Sequence, residues 1–147
     1  MARVLGIDYG ERRIGLALSD PTGTVATPLR VIQVQNPGGV VRDILACVQE
    51  YKVDRLVVGL PLRMDGSRGP AAEKAQAFAD RLQETSPVPV VFWDERFSTV
   101  TAQQALIEGG TRRNKRKEVV DKLAAQILLQ HYLDAQAGLP PLAEEQA

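Results

Sequence analysis

The chain has 147 residues, 44% of them hydrophobic and 24% charged, which is the length and composition of one globular domain and excludes a disordered or fibrous protein. No segment approaches the roughly 18 consecutive apolar residues of a membrane span, and the N-terminus lacks a signal-peptide pattern, so we expect a cytoplasmic protein. The 18 basic and 18 acidic residues cancel, while Cys47 and His131, the one cysteine and the one histidine, exclude an internal disulfide and a zinc cluster.

Hydrophobic periodicity predicts three strands, followed by strands that alternate with helices. The first two apolar runs are joined by the turn Tyr9–Arg13, which predicts a hairpin. Pro28 lies within the third run and predicts an edge strand or a bulge there. The predicted strands cover 3–8, 14–19, 25–34, 54–60 and 88–93, and the predicted helices cover 38–52, 70–84, 98–108 and 118–137.

The order β-β-β-α-β-α-β-α-α predicts an α/β fold, a mixed sheet of about five strands flanked by helices. We expect one domain over 1–137 and a loose tail over 138–147. The loop Pro61–Gly69 is expected to be a surface loop or a lid. Core packing is expected for Cys47, Phe92 and Trp93, and a packed or half-exposed position for His131.

Several carboxylates stand where strands end or a helix begins. Asp8 ends the first predicted strand, Asp94 and Glu95 end the fifth, and Asp121 lies in the first turn of the last predicted helix. The carboxyl ends of strands and the starts of adjacent helices meet at one rim of an α/β sheet, so these acids could converge there. Asp121 also shares a helix face with apolar residues, which is unusual for an unpaired aspartate. Those apolar residues are Ala124, Ala125 and Leu128.

Converging carboxylates require a positive charge among them. Two carboxylates about 4 Å apart repel by roughly 4 kcal/mol at an effective dielectric constant near 20. A divalent cation would neutralise them, and ligation by oxygen alone suits Mg²⁺ or Mn²⁺. Such a site serves the in-line displacement of phosphoryl chemistry without histidine or cysteine. The alternative interpretation is that these are turn, surface and helix-capping acids with no shared ligand.

A dense basic segment precedes the last predicted helix. Its density beside clustered acids predicts a loop that contacts a phosphate backbone, although a solvated turn is the alternative. The rest of the chain carries an excess of acidic residues. The basic residues are Arg112, Arg113, Lys115, Arg116 and Lys117.

Four sequence blocks, in order and spread over nearly the whole chain, match one known pattern. The blocks are Gly6–Gly10 with Arg12–Ala17 and Ser19–Asp20, Gly59–Leu62 with Asp65–Ser67, Asp94–Thr99, and Val120–Ala125. Together they resemble the bacterial Holliday-junction-resolvase-like nuclease family, also called the pre-16S rRNA nuclease (YqgF) family. The first block alone also resembles the phosphate-binding hairpin of sugar kinases and actin-like ATPases.

This resemblance implies a ribonuclease-H-like fold and a metal-dependent nuclease that matures the 5′ end of 16S rRNA, with structured RNA and branched DNA as candidate substrates. It implies that Asp8, Glu95 and Asp121 are the catalytic carboxylates and the ligands of Mg²⁺ or Mn²⁺. Asp94 is a weaker candidate than Glu95, because strand alternation sends the two to opposite faces. The phosphate-binding residues would be Gly10, Arg12, Arg13 and the basic segment.

Three other functions compete with this interpretation. A DNA junction resolvase is one, but position 124, where those resolvases carry a further aspartate, is Ala124, and the nearest extra acid is Glu118. A non-catalytic RNA-binding module for ribosome assembly is the second. An actin-like phosphotransferase is the third, and it is disfavoured because 147 residues cannot supply the second lobe that closes over a nucleotide.

Overall fold

A computed structural model of the chain describes residues 3–63, 65–94 and 113–138. These residues form five strands and three helices that agree in order with the sequence-based prediction. The strands are β1 (Arg3–Asp8), β2 (Arg13–Ser19), β3 (Ala26–Gln33), β4 (Val53–Leu60) and β5 (Val90–Asp94), and the helices are α1 (Pro37–Glu50), α2 (Pro70–Thr85) and α3 (Arg113–Gln136).

The strands form one mixed sheet in the order β3-β2-β1-β4-β5. β1, β2 and β3 are antiparallel neighbours, whereas β4 is parallel to β1 and β5 is parallel to β4. The predicted hairpin and meander are therefore confirmed. The ladder between β2 and β3 shifts register at Leu29, next to Pro28, which confirms the predicted irregularity of this edge strand.

Two helical layers cover the sheet. α1 and α2 pack on one face through large aliphatic residues of the strands, among them Leu5, Ile7 and Leu56. α3 packs on the other face, where it contacts Ala17 and Val57. Because side chains alternate along a strand, each strand residue belongs to one of these two faces, which we call the α1/α2 face and the α3 face.

The start of α1 is fixed by local chemistry. The Asn36 side chain accepts a hydrogen bond of 2.6 Å from the backbone N–H of Gly39, and Pro37 occupies the first helical position, where a missing N–H costs nothing. α2 likewise begins with Pro70. Both helices start within one residue of the predicted position, since the relevant signals are local in the sequence.

The last helix differs from its prediction. α3 begins at Arg113 rather than Glu118, so the basic residues after Arg112 belong to its first turns and the predicted basic loop is wrong for them. Asn, Lys, Arg and Glu are all compatible with a helix, and neither Gly nor Pro interrupts 113–118. The predicted helix over 98–108, Arg112, and the predicted tail from residue 139 onward lie outside the described residues.

Phe92 departs from its expected place in the core. Its relative exposure is 36%, because it lies on β5, at an edge of the described sheet. Trp93 is half-buried instead and packs edge-on against Tyr132 of α3, with the ring centroids 5.7 Å apart. Across 3–63, 65–94 and 113–138, the structure contains no helix that is both long and apolar enough to cross a membrane.

Candidate functional site

Asp8 lies at the carboxyl end of β1, on the α3 face. Leu5 and Ile7 are fully buried in the core under α1 and α2, so Gly6 and Asp8 belong to the opposite face. A Cβ atom at Gly6 would stand 2.8 Å from Cβ of Leu129 in α3, which confirms that this face meets that helix. The Asp8 side chain is partly buried at the rim where the parallel strands end.

Glycines flank Asp8 on both neighbouring strands. Asp8 pairs with Gly15 of β2, and Gly59 of β4 directly follows Val58, the partner of Ile7. Both glycines are buried and have no side chain that could fill the space beside the carboxylate. A role for these two glycines is not among the sequence-based predictions. The available signal was that glycine within a strand often marks the close approach of a ligand or of another backbone segment.

α3 approaches β1 closely because both elements have small residues at the contact. Ala124, Ala125 and Leu128 are fully buried, which confirms the predicted sheet-facing side of this helix. The Ala125 carbonyl oxygen lies 3.4 Å from the position that a Cβ of Gly6 would occupy. A side chain at Gly6 would therefore push the helix away from the sheet.

The direction of α3 brings position 121 toward the Asp8 end of β1. Tyr132, later in the helix, accepts a hydrogen bond of 2.6 Å from Arg55, at the amino end of β4. Asp121 therefore lies toward the carboxyl end, four residues or about 6 Å of helix before Ala125. Asp8 lies two residues or about 6.6 Å of strand beyond Gly6 in the same direction. Of Asp121 itself the structure describes the backbone only.

The helix boundary also changes the interpretation of Asp121. The prediction that it lies in the first turn of the last helix is wrong, because eight helical residues precede it. The favourable effect of a helix dipole on a carboxylate is confined to the first turn. The alternative that Asp121 serves to stabilise the helix N-terminus is therefore excluded.

The end of β5 separates the two acidic candidates there. Trp93 packs on the α3 side, so Asp94 belongs to the α1/α2 face, opposite to Asp8. Asp94 is exposed at the end of β5, where Leu60 is its partner on β4. Glu95 lies outside the described residues. The structure thus places Asp94 away from the candidate site and leaves the assignment of Glu95 a prediction.

The turn between β1 and β2 holds the first group of predicted phosphate-binding residues. Arg13 alternates with Gly15 and Ala17 and thus shares the α3 face with Asp8, while Arg12 is exposed at the rim. A Cβ at Gly10 would lie 2.5 Å from the Arg13 carbonyl oxygen. The turn itself therefore requires glycine at position 10, whatever the turn binds.

Cys47 and His131 occupy the kinds of position predicted for them, one in the core and the other half-buried. Cys47 is buried in α1, and burial raises the pKa of its thiol. His131 is half-buried in α3, and burial lowers the pKa of its imidazole. Within the described ranges, no group of three or more His, Cys, Asp or Glu side chains is close enough together to hold a metal ion.

Comparison with known proteins identifies the family. The profile of the RuvX family, described as Holliday junction resolvase, matches residues 2–135. The chain belongs to this family. Proteins named "Putative pre-16S rRNA nuclease" include one from Halothermothrix orenii, 48% identical over 93% of this chain and 98% of that protein. Another, from Bacillus licheniformis, is 43% identical over 90% of this chain and 97% of that protein. The resemblance found in the sequence is confirmed, and with it the enzyme class, a nuclease.

Solved structures confirm the ribonuclease-H-like fold. Thermus thermophilus RuvC, solved in complex with a Holliday junction substrate, has a TM-score of 0.56 at 19% identity and covers 92% of this chain and 96% of its own. The fowlpox virus resolvase, solved with Holliday junction DNA, has a TM-score of 0.57 at 13% identity, with 91% and 98% covered. At these identities the likeness concerns the fold alone.

Proposed function

We propose that this protein is a metal-dependent nuclease that hydrolyses phosphodiester bonds of precursor 16S rRNA in the cytoplasm and matures its 5′ end. The observation that carries the proposal is the position of Asp8. It ends a parallel strand on the face where α3 touches β1, and it has glycine neighbours on both sides. The names of the curated relatives support rRNA as the substrate.

The proposed catalytic carboxylates are Asp8, Asp121 and Glu95. Asp121 is supported by the direction of α3, which carries its backbone toward the Asp8 end of β1. Glu95 follows Trp93 by two residues, and the two-residue period of a strand would place it on the α3 face as well. Asp94 is the acid of this pair that the proposal leaves out.

The residues proposed here fit a divalent cation. Their donor atoms are all carboxylate oxygens, which Mg²⁺ and Mn²⁺ prefer, and the glycines beside Asp8 leave room for the water ligands that such ions retain. When bound, the metal supplies an activated water and stabilises the charge on the leaving oxygen. Asp8, Glu95 and Asp121 would hold it.

The remaining contributions come from cations of the chain. Arg13, on the same face as Asp8, and Arg12 at the rim would bind phosphates of the strand near the scissile bond. The basic first turns of α3 would neutralise phosphates farther along the same nucleic acid. Those residues, together with Arg112 before the helix, are Arg113, Lys115, Arg116 and Lys117.

Substitution of Asp8 tests the proposal. Asp8→Asn keeps the shape of the side chain but removes a charged ligand, so we expect cleavage of precursor 16S rRNA with Mg²⁺ or Mn²⁺ to fall at least about 1,000-fold. RNA binding measured with EDTA should stay within about twofold. Asp94→Asn removes an equal charge from the other face and should retain most activity. Full activity of Asp8→Asn, or equal losses in both variants, would refute the assignment.

Cleavage of branched DNA is the second candidate function, since the matching family profile is described as Holliday junction resolvase. Precursor rRNA and a four-way DNA junction, incubated in parallel with the purified protein, distinguish the two substrates. Symmetric nicking of the junction without cleavage of the RNA would favour the resolvase. Binding of the RNA without hydrolysis under any metal would favour a non-catalytic assembly module.

A further inference from the structure

Behind Asp8, on the α1/α2 face, the structure contains a cavity of about 170 Å³. The residue that follows Asp8, Tyr9, lines it together with residues of α1 and α2. Adjacent residues point to opposite faces, so Asp8 and Tyr9 lie on opposite faces at the carboxyl end of β1. The proposed cleavage site and this cavity are therefore on opposite sides of the sheet at the same rim.

The floor of the cavity is apolar and aromatic. Tyr9 stacks on Phe78 of α2, with ring centroids 4.7 Å apart and ring planes inclined by 28°. The other apolar lining residues are Ile14, Val34, Val40 and Ala77. An apolar cavity of about 150 Å³ accommodates benzene, so this one has room for a single planar ring.

The rim is positively charged. Lys74 and Arg81 line the cavity from α2, four residues before and three residues after Phe78, and therefore on the same helix face. Lys74 forms an ion pair with Glu11, which lowers the pKa of that carboxyl. Arg81 has no ion-pair partner within the described part of the chain. The rim thus offers an unneutralised guanidinium beside an aromatic floor.

We propose that this cavity binds one unpaired base of the RNA strand, with an adjoining phosphate on Arg81. A planar ring joined to an anion is the chemistry that complements a stacked aromatic floor and a cationic rim. The proposal rests on the proposed function only in taking RNA as the ligand. It makes Tyr9 and Arg81 binding residues on the face opposite to the carboxylates.

The site is tested first with small probes in EDTA, so that no cleavage occurs. We expect uridine 5′-monophosphate to shift the NMR signals of the Ala77 methyl group and the Tyr9 ring, and ribose 5-phosphate, which lacks a base, to shift them far less. Equal shifts with both probes, or none with either, would overturn the proposal. Shifts caused by protein concentration alone would show a self-association surface and would overturn it too.

Variants then test the same site with RNA. Ala77 is exposed on α2, so Ala77→Leu fills the cavity without removing core packing, while Ala71→Leu makes the same change elsewhere on the helix. For a fluorescent single-stranded RNA in EDTA, we expect Kd to rise at least about fivefold with Ala77→Leu and to change less than about twofold with Ala71→Leu.

A charge variant covers the case in which Ala77→Leu fails to fold. Arg81→Gln should raise the same Kd at least about threefold. Arg42→Gln, which removes an equal charge from an exposed position of α1, should not. Equal Kd values for Arg81→Gln and Arg42→Gln would overturn the proposal. Failure of the wild-type protein to cleave RNA with metal would refute the proposed function alone, since this binding is measured without metal.

Discussion

The two faces of the sheet are built from different residues. Toward α1 and α2, the central strands present large aliphatic side chains such as Leu5, Ile7 and Val58, all fully buried. Toward α3, the same strands present glycine or alanine at several positions, and α3 contacts them through alanines. On that face the small strand residues are Gly6, Gly15, Ala17 and Gly59, and those of the helix are Ala124 and Ala125.

The α1/α2 face therefore mainly stabilises the fold, whereas the α3 face mainly positions α3 beside Asp8. Large strand side chains on the α1/α2 face bury much apolar area and contribute strongly to the hydrophobic stabilisation. Small residues on the α3 face contribute less area, but they let a helix lie close to the strand that carries Asp8. We therefore expect substitutions on the two faces to affect different measurements.

The largest effect on stability is expected at Ile7, the immediate neighbour of Asp8. Ile7→Ala leaves a cavity on the α1/α2 face and should lower the free energy of unfolding by about 2–5 kcal/mol in urea denaturation. Asp8→Asn should not lower the free energy of unfolding, because the Asp8 charge is needed for catalysis and not for core packing. If Asp8→Asn destabilises the fold as much as Ile7→Ala does, the separation between the two faces is wrong.

The next effect is expected from overpacking the α3 face. Gly6→Val would force Cβ against Leu129 and should lower the free energy of unfolding by about 1–3 kcal/mol, and it should also reduce cleavage by shifting α3. A control for adding a Cβ in open surroundings is Gly38→Ala, whose Cβ would meet its nearest atom at 3.7 Å. A Gly6→Val variant as stable and as active as the control would contradict the close contact.

A smaller effect is expected from the basic turns of α3. The double variant Lys115→Gln/Lys117→Gln should reduce the slope of log K against log salt for single-stranded RNA by about 1.4, or about 0.7 per lost phosphate contact. Arg42→Gln/Lys52→Gln removes two charges from α1 and from the turn between α1 and β4, and it should leave the slope unchanged. Identical slopes for both variants would show that the basic residues of α3 do not contact RNA phosphates.

The smallest effect is expected at the far end of the sheet, where Asp20 organises the turn between β2 and β3. Hydrogen bonds from the Thr22 hydroxyl and from the N–H groups of Val25 and Thr24 lower the Asp20 pKa to about 2. Because the folded state lowers this pKa, the ionised Asp20 carboxylate stabilises the fold at pH values above about 3.8, the ordinary pKa of aspartate. This contribution to the free energy of unfolding is lost as the pH falls toward 2.

Asp20→Asn should accordingly lower Tm at pH 6, and the difference from the wild type should shrink between about pH 4 and pH 2. Activity at neutral pH should be unchanged, because this turn is remote from Asp8. A Tm difference that is independent of pH would contradict the role of the Asp20 charge.

The element order could be predicted because each element carries its own periodic pattern and local boundary signals. The Pro28 irregularity, the buried face of α3 and the packing of Cys47 were read from such signals. The start of α3 was missed because residues 113–118 are acceptable both in a helix and in a solvated loop. The exposure of Phe92 was not predicted because it depends on the position of β5 at an edge of the described sheet, which no local pattern encodes.

The site was predictable in part. Asp8 could be proposed because it ends a buried strand, and the rim position follows from the parallel pairing of β1 and β4. The roles of Gly15 and Gly59 depend on strand register, which pairs residues far apart in the chain. The cavity beside Tyr9 requires the packing of two helices against the sheet and leaves no mark in the sequence.

Pro28 and the bulge at Leu29 have a consequence for the protein at high concentration. β3 is the outer strand on its side of the described sheet, and its unpaired backbone groups would otherwise offer a template to a neighbouring molecule. Proline removes one donor from that strand and the bulge interrupts its regular spacing, which disfavours continuous pairing with another chain. We therefore expect the irregularity that shapes the meander to make the β3 edge a poor template for edge-to-edge aggregation.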